Sequence, residues 1–171
     1  MFSKITNQTE LAVVSLAEAK KQLNIIDSTE DDEHIQLLIS AASELAEGYT
    51  NRLLSEATVQ LSFSDRKSFF LPFGEAQNSP TPITVISGSK NLTFTFDDIS
   101  QILTIDDNQI SDTDNVRVTY KAGYTSVPNS VKMGVLMIIS SLFMNREDTS
   151  IGFTVADIPL DSRQILGKVK L

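Results

Sequence analysis

The sequence contains no cysteine, which excludes disulfide frameworks, thiolate metal sites and cysteine nucleophiles. His34 is the single histidine, so histidine-rich zinc sites and a serine triad built on histidine are excluded as well. No run approaches the roughly 20 apolar residues of a membrane span, and no glycine-rich phosphate loop or G-x-S-x-G nucleophile elbow occurs. Polar residues interrupt Met1 to Leu16, so we expect no signal peptide and synthesis in a cytoplasm. The chain is therefore poorly equipped for catalysis.

Positive charge is also scarce, with 14 basic residues against 22 acidic ones and a formal net charge of −8. Such a field repels polyanions unless the few cations cluster on one face, and the lysines here are scattered along the chain. We therefore expect that the protein does not bind DNA tightly. An acidic surface would suit the wall of a channel through which DNA slides without sticking.

The N-terminal part predicts two helices. Ser15 followed by Glu18 has the spacing of a capping box, which indicates a short helix over Leu16 to Leu23. Asp31, Asp32 and Glu33 place negative charge at the start of a second helix that ends near Thr50. An apolar stripe at three- and four-residue steps runs along this helix: Ile35, Leu38, Ile39, Ala42, Leu45, Ala46 and Tyr49.

The middle of the chain predicts antiparallel β-hairpins. Alternation begins at Ala57 with apolar Val59, Leu61 and Phe63, as in a strand that is buried on one face. Turn-forming residues separate five further candidate strands, and Gly123 is predicted to occupy a turn with positive φ. These candidates are Ser68 to Leu71, Ile83 to Ser87, Leu92 to Phe96, Ile102 to Ile105 and Val116 to Tyr120.

Pro128 marks the first turn of a third helix that runs to about Arg146. Between Met133 and Met144 this helix is apolar nearly all round, and a domain of this size covers one side comfortably, so the remainder indicates subunit contact. Its core stripe is clear, whereas the methionines lie partly off it and fit a core or an interface equally well. An irregular apolar loop over Ile151 to Ile158 follows, and Pro159 opens a short last helix ending near Gly167.

The predicted fold class is α+β and mainly helical, as one domain over 1–171. Within it, 14–54 is helical, 57–124 is a small antiparallel β insertion, 128–147 is the long third helix, and 148–171 holds a loop and the short C-terminal helix.

Several segments carry a resemblance to a known family. They are Ser15 to Lys20 with Leu23, the acidic Asp31 to Glu33, Glu47 to Arg52, Val118 to Tyr124, and Val127-Pro128 with the closing Asn145-Arg146-Glu147. In this order, over about Val14 to Leu166, they resemble the head-tail connector (adaptor) family of tailed phages. The chain departs from that pattern at Phe143-Met144, where the family often has tryptophan or tyrosine, and its β insertion has no alignable signature.

The resemblance implies a structural virion protein and not an enzyme, with no cofactor. Family members form a ring, here expected to be twelvefold, that docks beneath the portal protein and receives a downstream neck or tail protein. DNA would pass through the channel without specific binding. The protein would be made in the host cytoplasm, would reside in the neck of the virion at the head-tail junction, and would contact no membrane.

Two groups of candidate site residues follow. The candidate subunit interface is Met133, Met137, Ile138, Met144, Arg146 and Glu147. The candidate partner-docking residues, in a C-terminal segment expected to gain order on docking, are Ile151, Phe153, Val155, Ile158, Ile165 and Leu166.

Two other functions stay open: a virion assembly adaptor that forms no ring, and a carboxylate-dependent hydrolase. The hydrolase would need Asp97 with Asp98, or Asp106 with Asp107, to converge in a cleft, although adjacent strand residues point apart. No metal site is predicted. Adjacent acidic residues before His34 cannot all face one ion, and the acidic segment after Ile105 lacks the glycine of a calcium loop.

Overall fold

The computed structural model describes residues 2–8, 13–25, 28–64, 67–74, 76, 82–106, 115–145 and 161–170. The chain divides into two compact units. The sheet unit comprises Met1–Thr9 and Ser55–Thr125, and the helical unit comprises Glu10–Leu54 and Ser126–Leu171. The single connector domain stays a prediction, and each unit is described by itself.

In the described part of the helical unit there are four helices: α1 (Leu16–Leu23), α2 (Asp32–Thr50), α3 (Asn129–Met144) and α4 (Ser162–Gly167). Local sequence explains where they begin. Ser15 and Glu18 form the predicted capping box, in which the Glu18 N–H donates to Ser15 Oγ at 3.2 Å and the Ser15 N–H donates to the Glu18 carboxylate at 2.7 Å. Asp161 caps α4 by accepting from the Gln164 N–H at 2.7 Å. The predicted bounds of α1 and α2 are therefore confirmed.

The core of the helical unit is built from the apolar stripes of its two long helices. α2 contributes Ile35, Ile39, Ala42 and Ala46, all fully buried, and α3 packs against it with Val131, Val135 and Ile139. Gly134 lets α4 approach α3 closely, because an added Cβ would lie 2.9 Å from the Leu166 side chain. The close packing of α4 on α3 therefore depends on the absence of a side chain at Gly134.

The described residues of the sheet unit form eight strands in two antiparallel sheets. The first sheet has the order β1-β2-β8-β4-β5 and the second has the order β3-β7-β6. The strands are β1 (Phe2–Thr6), β2 (Ala57–Phe63), β3 (Ser68–Phe70), β4 (Thr84–Ser87), β5 (Lys90–Asn91), β6 (Phe94–Asp97), β7 (Ile102–Ile105) and β8 (Val116–Ala122).

The centre of the larger sheet is the long pairing of β2 with β8, which brings Leu61 opposite Val118. Every second residue of both strands is buried, as the alternation predicts. Tyr120 also lies in this core and donates its hydroxyl to the Pro72 carbonyl at 2.7 Å, so its polar end is satisfied. At the β8 end, Gly123 has φ +106°, and a Cβ there would lie 2.1 Å from the Ser55 carbonyl oxygen. The predicted turn glycine is confirmed.

The prediction of a mainly helical chain is wrong. Of the described residues 37% are helical and 29% are in strands, which form sheets of five and three strands. The difference arises at the sheet edges. The first four residues of β1, from Phe2 to Ile5, are solvent-exposed. This edge strand therefore lacks the alternation of buried and exposed residues by which a strand is identified from sequence. β5 is only two residues long and equally exposed.

Candidate assembly surface

Helix α3 is the element that the sequence marks most clearly as a contact surface. Within the helical unit it packs against α1, α2 and α4, so its own unit covers more of it than the sequence analysis assumed. Its buried residues are Val131, Gly134, Val135 and Ile139. The face that these helices leave open carries the methionines.

Met133, Met137 and Met144 fall within about 40° of one another around the helix, at about 100° per residue. Met133 is 48% exposed and Met144 is 79% exposed, while Met137 is half-buried. We call these three residues the methionine stripe. By the same rotation Ser130 and Ser141 border the stripe on one side and Ser140 borders it on the other, so the stripe is apolar with hydroxyl groups along both edges. The remaining candidates Arg146 and Glu147 lie outside the described residues.

Ile138, the other interface candidate, faces a groove that α2, α3 and α4 form together. The groove has a volume of about 300 Å³, and Leu45 stands at its rim, 55% exposed. Its accessible lining residues include Leu45, Tyr49, Ile138, Ser141, Leu142 and Arg163. We call it the helical groove.

The docking candidates of α4 occupy two different environments. Ile165 is half-buried, whereas Leu166 is only 1% exposed because it packs on Gly134. Leu166 therefore holds α4 in place and is not accessible in this conformation. The candidates Ile151, Phe153, Val155 and Ile158 lie outside the described residues, and the docking role of the whole group stays a prediction.

Ion pairs engage the cations near α1. Lys20 contacts Asp32 at 2.7 Å, and Lys132 contacts Glu18 at 3.5 Å. Hydrogen bonds from the Ser15 N–H and hydroxyl, with a smaller contribution from Lys132, lower the pKa of Glu18. These contacts join α1 to α2 and to α3.

Asp97, one of the carboxylates that the alternative hydrolase would need, accepts hydrogen bonds within a turn. Asp97 accepts hydrogen bonds from the Ile99 N–H at 3.0 Å and the Ser100 hydroxyl at 2.8 Å, and these bonds lower its pKa, opposite to the needs of a general acid. The Thr93 hydroxyl donates to Asp106, and Asp107 lies outside the described residues. In the described part of the chain, no three metal-ligating side chains are grouped to hold an ion.

No helix within the described ranges has the length and apolar character needed to cross a bilayer. His34 is half-buried: its ring lies 6.2 Å from that of Phe143, and its Nε2 is buried.

Two exposed residues of α2 differ from the sequence-based expectation. Leu45 was predicted to belong to the core stripe but lies at the rim of the helical groove, and Leu37, which was not singled out, is 65% exposed. Leu37, Ala41 and Leu45 follow one another at four-residue steps and so form one strip along the helix. The spacing alone could have identified this second stripe, although not that solvent covers it.

The fold is similar to that of subunits in gene transfer agent (GTA) particles. A chain from the neck of an empty GTA particle, computed with C6 symmetry, aligns with a TM-score of 0.76 and 14% identity over 99% of this chain and 95% of that chain. A chain from the virion of a native GTA particle gives the same values. A chain from the neck of a native GTA particle, computed with C12 symmetry, gives a TM-score of 0.70 at the same identity and coverage. At this identity the likeness shows a shared fold.

A search of curated protein sequences gave no significant match. A family model described as "Head completion protein" matches residues 12–158. This range begins before α1, continues through α3, and contains the motifs on which the resemblance to head-tail connectors depends. Because the match spans most of the chain and the predicted resemblance agrees with it, the protein belongs to the head completion protein family.

Proposed function

We propose that this protein is a structural subunit of a homo-oligomeric ring in the neck of a phage or phage-like particle. The ring would lie between the portal and the next neck or tail protein, around the DNA channel, with twelve copies as the expected number. The observation that carries the proposal is the fold shared over 99% of the chain with a subunit from a neck computed with C12 symmetry. Membership of the head completion protein family supports the same role.

The charge distribution supports a channel that DNA passes without specific binding. The net charge is −8. Three cations of the helical unit are engaged with other side chains: Lys20 and Lys132 in ion pairs, and Lys170 over the ring of Tyr49 at 5.0 Å from its centroid. Because these three cations contact other side chains, they are less available to phosphate groups, and together with the net charge this favours a structural role over nucleic-acid recognition.

For the contact between ring subunits we propose the exposed side of α3, centred on the methionine stripe. Methionine is flexible and polarisable and so adapts to an irregular partner surface. For docking on the portal or the next neck protein, we propose Ile165 together with Ile151, Phe153, Val155 and Ile158. Their apolar character in sequence supports this role, and Leu166 would contribute by fixing α4 to α3.

The test measures ring formation and its dependence on the methionine stripe. The purified protein is analysed by native mass spectrometry and electron microscopy, alone and with the portal protein of the same particle. We expect a closed ring, and we expect Met133→Asp with Met144→Asp to abolish it, because the contact would bury unpaired charge. Ile99→Asp is the matched control, because Ile99 is a 92% exposed apolar residue of the sheet unit.

A discrete dimer, or a protein that stays monomeric even with portal present, would contradict the ring. A ring that persists in the double aspartate variant would move the subunit contact away from α3.

A further inference from the structure

The helical unit exposes two apolar surfaces that lie on different sides of α3. The methionine stripe occupies one side. Ile138 and Leu142, which form the floor of the helical groove, lie roughly 140° away from it around the helix axis, at about 100° per residue. Ser141 lies between the two surfaces, because it lines the groove and borders the stripe, so one neighbour can contact the stripe while another contacts the groove floor.

The two surfaces differ in shape. The stripe is convex, because its side chains project from a single helix. The groove is concave, since α2, α3 and α4 together line its volume of about 300 Å³. From Leu45 at the rim of the groove, the apolar strip continues along α2 to Ala41 and Leu37. Leu37 and Leu45 are large hydrophobic residues that solvent reaches.

We propose that the methionine stripe of one copy inserts into the helical groove of the next copy, and that this is the repeating contact of the ring. The inference rests on the proposed function, because it names the two halves of that ring's interface. A ring closed by rotation uses a heterologous contact, in which each subunit presents two different and complementary surfaces. A symmetric dimer would need only one self-complementary patch.

The chemistry of the two surfaces suits this pairing. The stripe carries no charged side chain, so its insertion strands no ion. The charged lining residue of the groove, Arg163, is solvent-exposed and keeps access to water. Tyr49 also lines the groove; Lys170 stands over a face of its ring, and thioether sulfur makes favourable contacts at the ring edge. The second copy is therefore the occupant that this groove fits.

Thiol cross-linking tests the contact directly, because the chain has no cysteine and introduced thiols are its only ones. Met133→Cys and Leu45→Cys are made in separate chains, one with a size tag, and are mixed and treated with a short bismaleimide. Thiols held together in a complex react at an effective concentration near millimolar. We expect the mixed product to form on the order of a thousandfold faster than with the control pair of Ile99→Cys and Leu45→Cys, which is the ratio of a millimolar effective concentration to a micromolar bulk concentration.

A charge-exchange experiment gives an independent readout. Met133→Lys and Leu45→Glu should each abolish the ring when present alone, since each buries an unpaired charge. An equal mixture should restore it, because alternating subunits place every lysine opposite a glutamate and every remaining methionine opposite a native groove. Native mass spectrometry should then show equal numbers of the two chains in one ring.

The outcomes separate this inference from the proposed function. A ring whose Met133→Cys chains cross-link to one another, and not to Leu45→Cys, has stripe against stripe, which overturns the inference and keeps the ring. A ring that forms normally in both single charge variants shows that other surfaces make the contact, or that the groove receives another virion protein or a small molecule. If the unmodified protein forms no ring with portal present, the proposed function fails together with the inference.

Discussion

Replacing Gly134 with alanine tests how α4 is held against α3, and Gly48 provides the matched control. Both glycines lie inside helices. Alanine in place of glycine favours an exposed helix by about 0.5–1 kcal/mol. A Cβ at Gly48 would meet no described atom within 4 Å, whereas a Cβ at Gly134 would lie 2.9 Å from two carbons of Leu166. The helix preference is common to both variants, and the clash is specific to Gly134.

Overpacking of a buried site costs about 1–3 kcal/mol. We therefore expect Gly48→Ala to raise the free energy of unfolding by about 0.5–1 kcal/mol, and Gly134→Ala to lower it by up to about 2 kcal/mol, because the clash outweighs the helix preference. Urea unfolding followed by far-ultraviolet circular dichroism measures both, with the midpoint shift read at constant m-value.

The double variant Gly134→Ala/Leu166→Ala completes the cycle. Leu166→Ala alone should cost about 2–5 kcal/mol because it empties a buried site. In its background, Gly134→Ala should become stabilising, which corresponds to a coupling free energy of about 1–3 kcal/mol. If Gly134→Ala stabilises the wild-type protein as much as Gly48→Ala does, Leu166 does not pack on Gly134 and the account of α4 is refuted.

Three further variants test other parts of the fold. Tyr120→Phe removes the hydrogen bond to the Pro72 carbonyl and should cost about 1 kcal/mol at neutral pH. Burial raises the pKa of Tyr120 well above its usual 10.0, so the stability it contributes is fully present below pH 10 and is lost as pH rises through the folded-state value. Above pH 10 the free energy of unfolding should therefore fall less steeply with pH in the variant than in the wild-type protein. Equal slopes would contradict this. Ile139→Asp should unfold the helical unit, because Ile139 is completely buried, whereas Ser141→Asp on the exposed side should leave its circular dichroism spectrum unchanged. Ser15→Ala should destabilise α1 by about 1 kcal/mol through loss of its N-cap, and hydrogen exchange of the first amides of that helix measures the effect.

The elements that the sequence predicted well are those determined by neighbouring residues. The bounds of α1 follow from its capping box, and those of β2 follow from strict alternation between Ala57 and Phe63. α3 was also placed correctly to within two residues at its C-terminal end, although Pro128 precedes the helix instead of opening it. In each case the physical cause lies within a few residues of its effect.

The features that could not be predicted depend on distant partners. β1 pairs with β2 in a register that places Phe2 opposite Ser62, and its exposed residues carry no trace of this contact in their own pattern. The burial of Leu166 likewise depends on Gly134 in another helix. For the same reason, Leu45 satisfied the apolar period of α2 and yet lies at the rim of a groove. Periodicity indicates that a residue could be buried, and the packing decides whether it is.

The composition of α3 reflects two demands on one helix. The side that packs within its own unit uses Val131, Val135 and Ile139, whose branched side chains have few rotamers and fill a fixed core. The side left in solvent uses methionine, whose unbranched thioether conforms to a surface that arrives later. A face of branched residues would be as apolar and less adaptable, so under the proposed ring the methionines would serve a contact made during assembly and the branched residues one made during folding. The net charge of −8 acts in the same direction, since like-charged chains stay apart in solution until complementary surfaces meet.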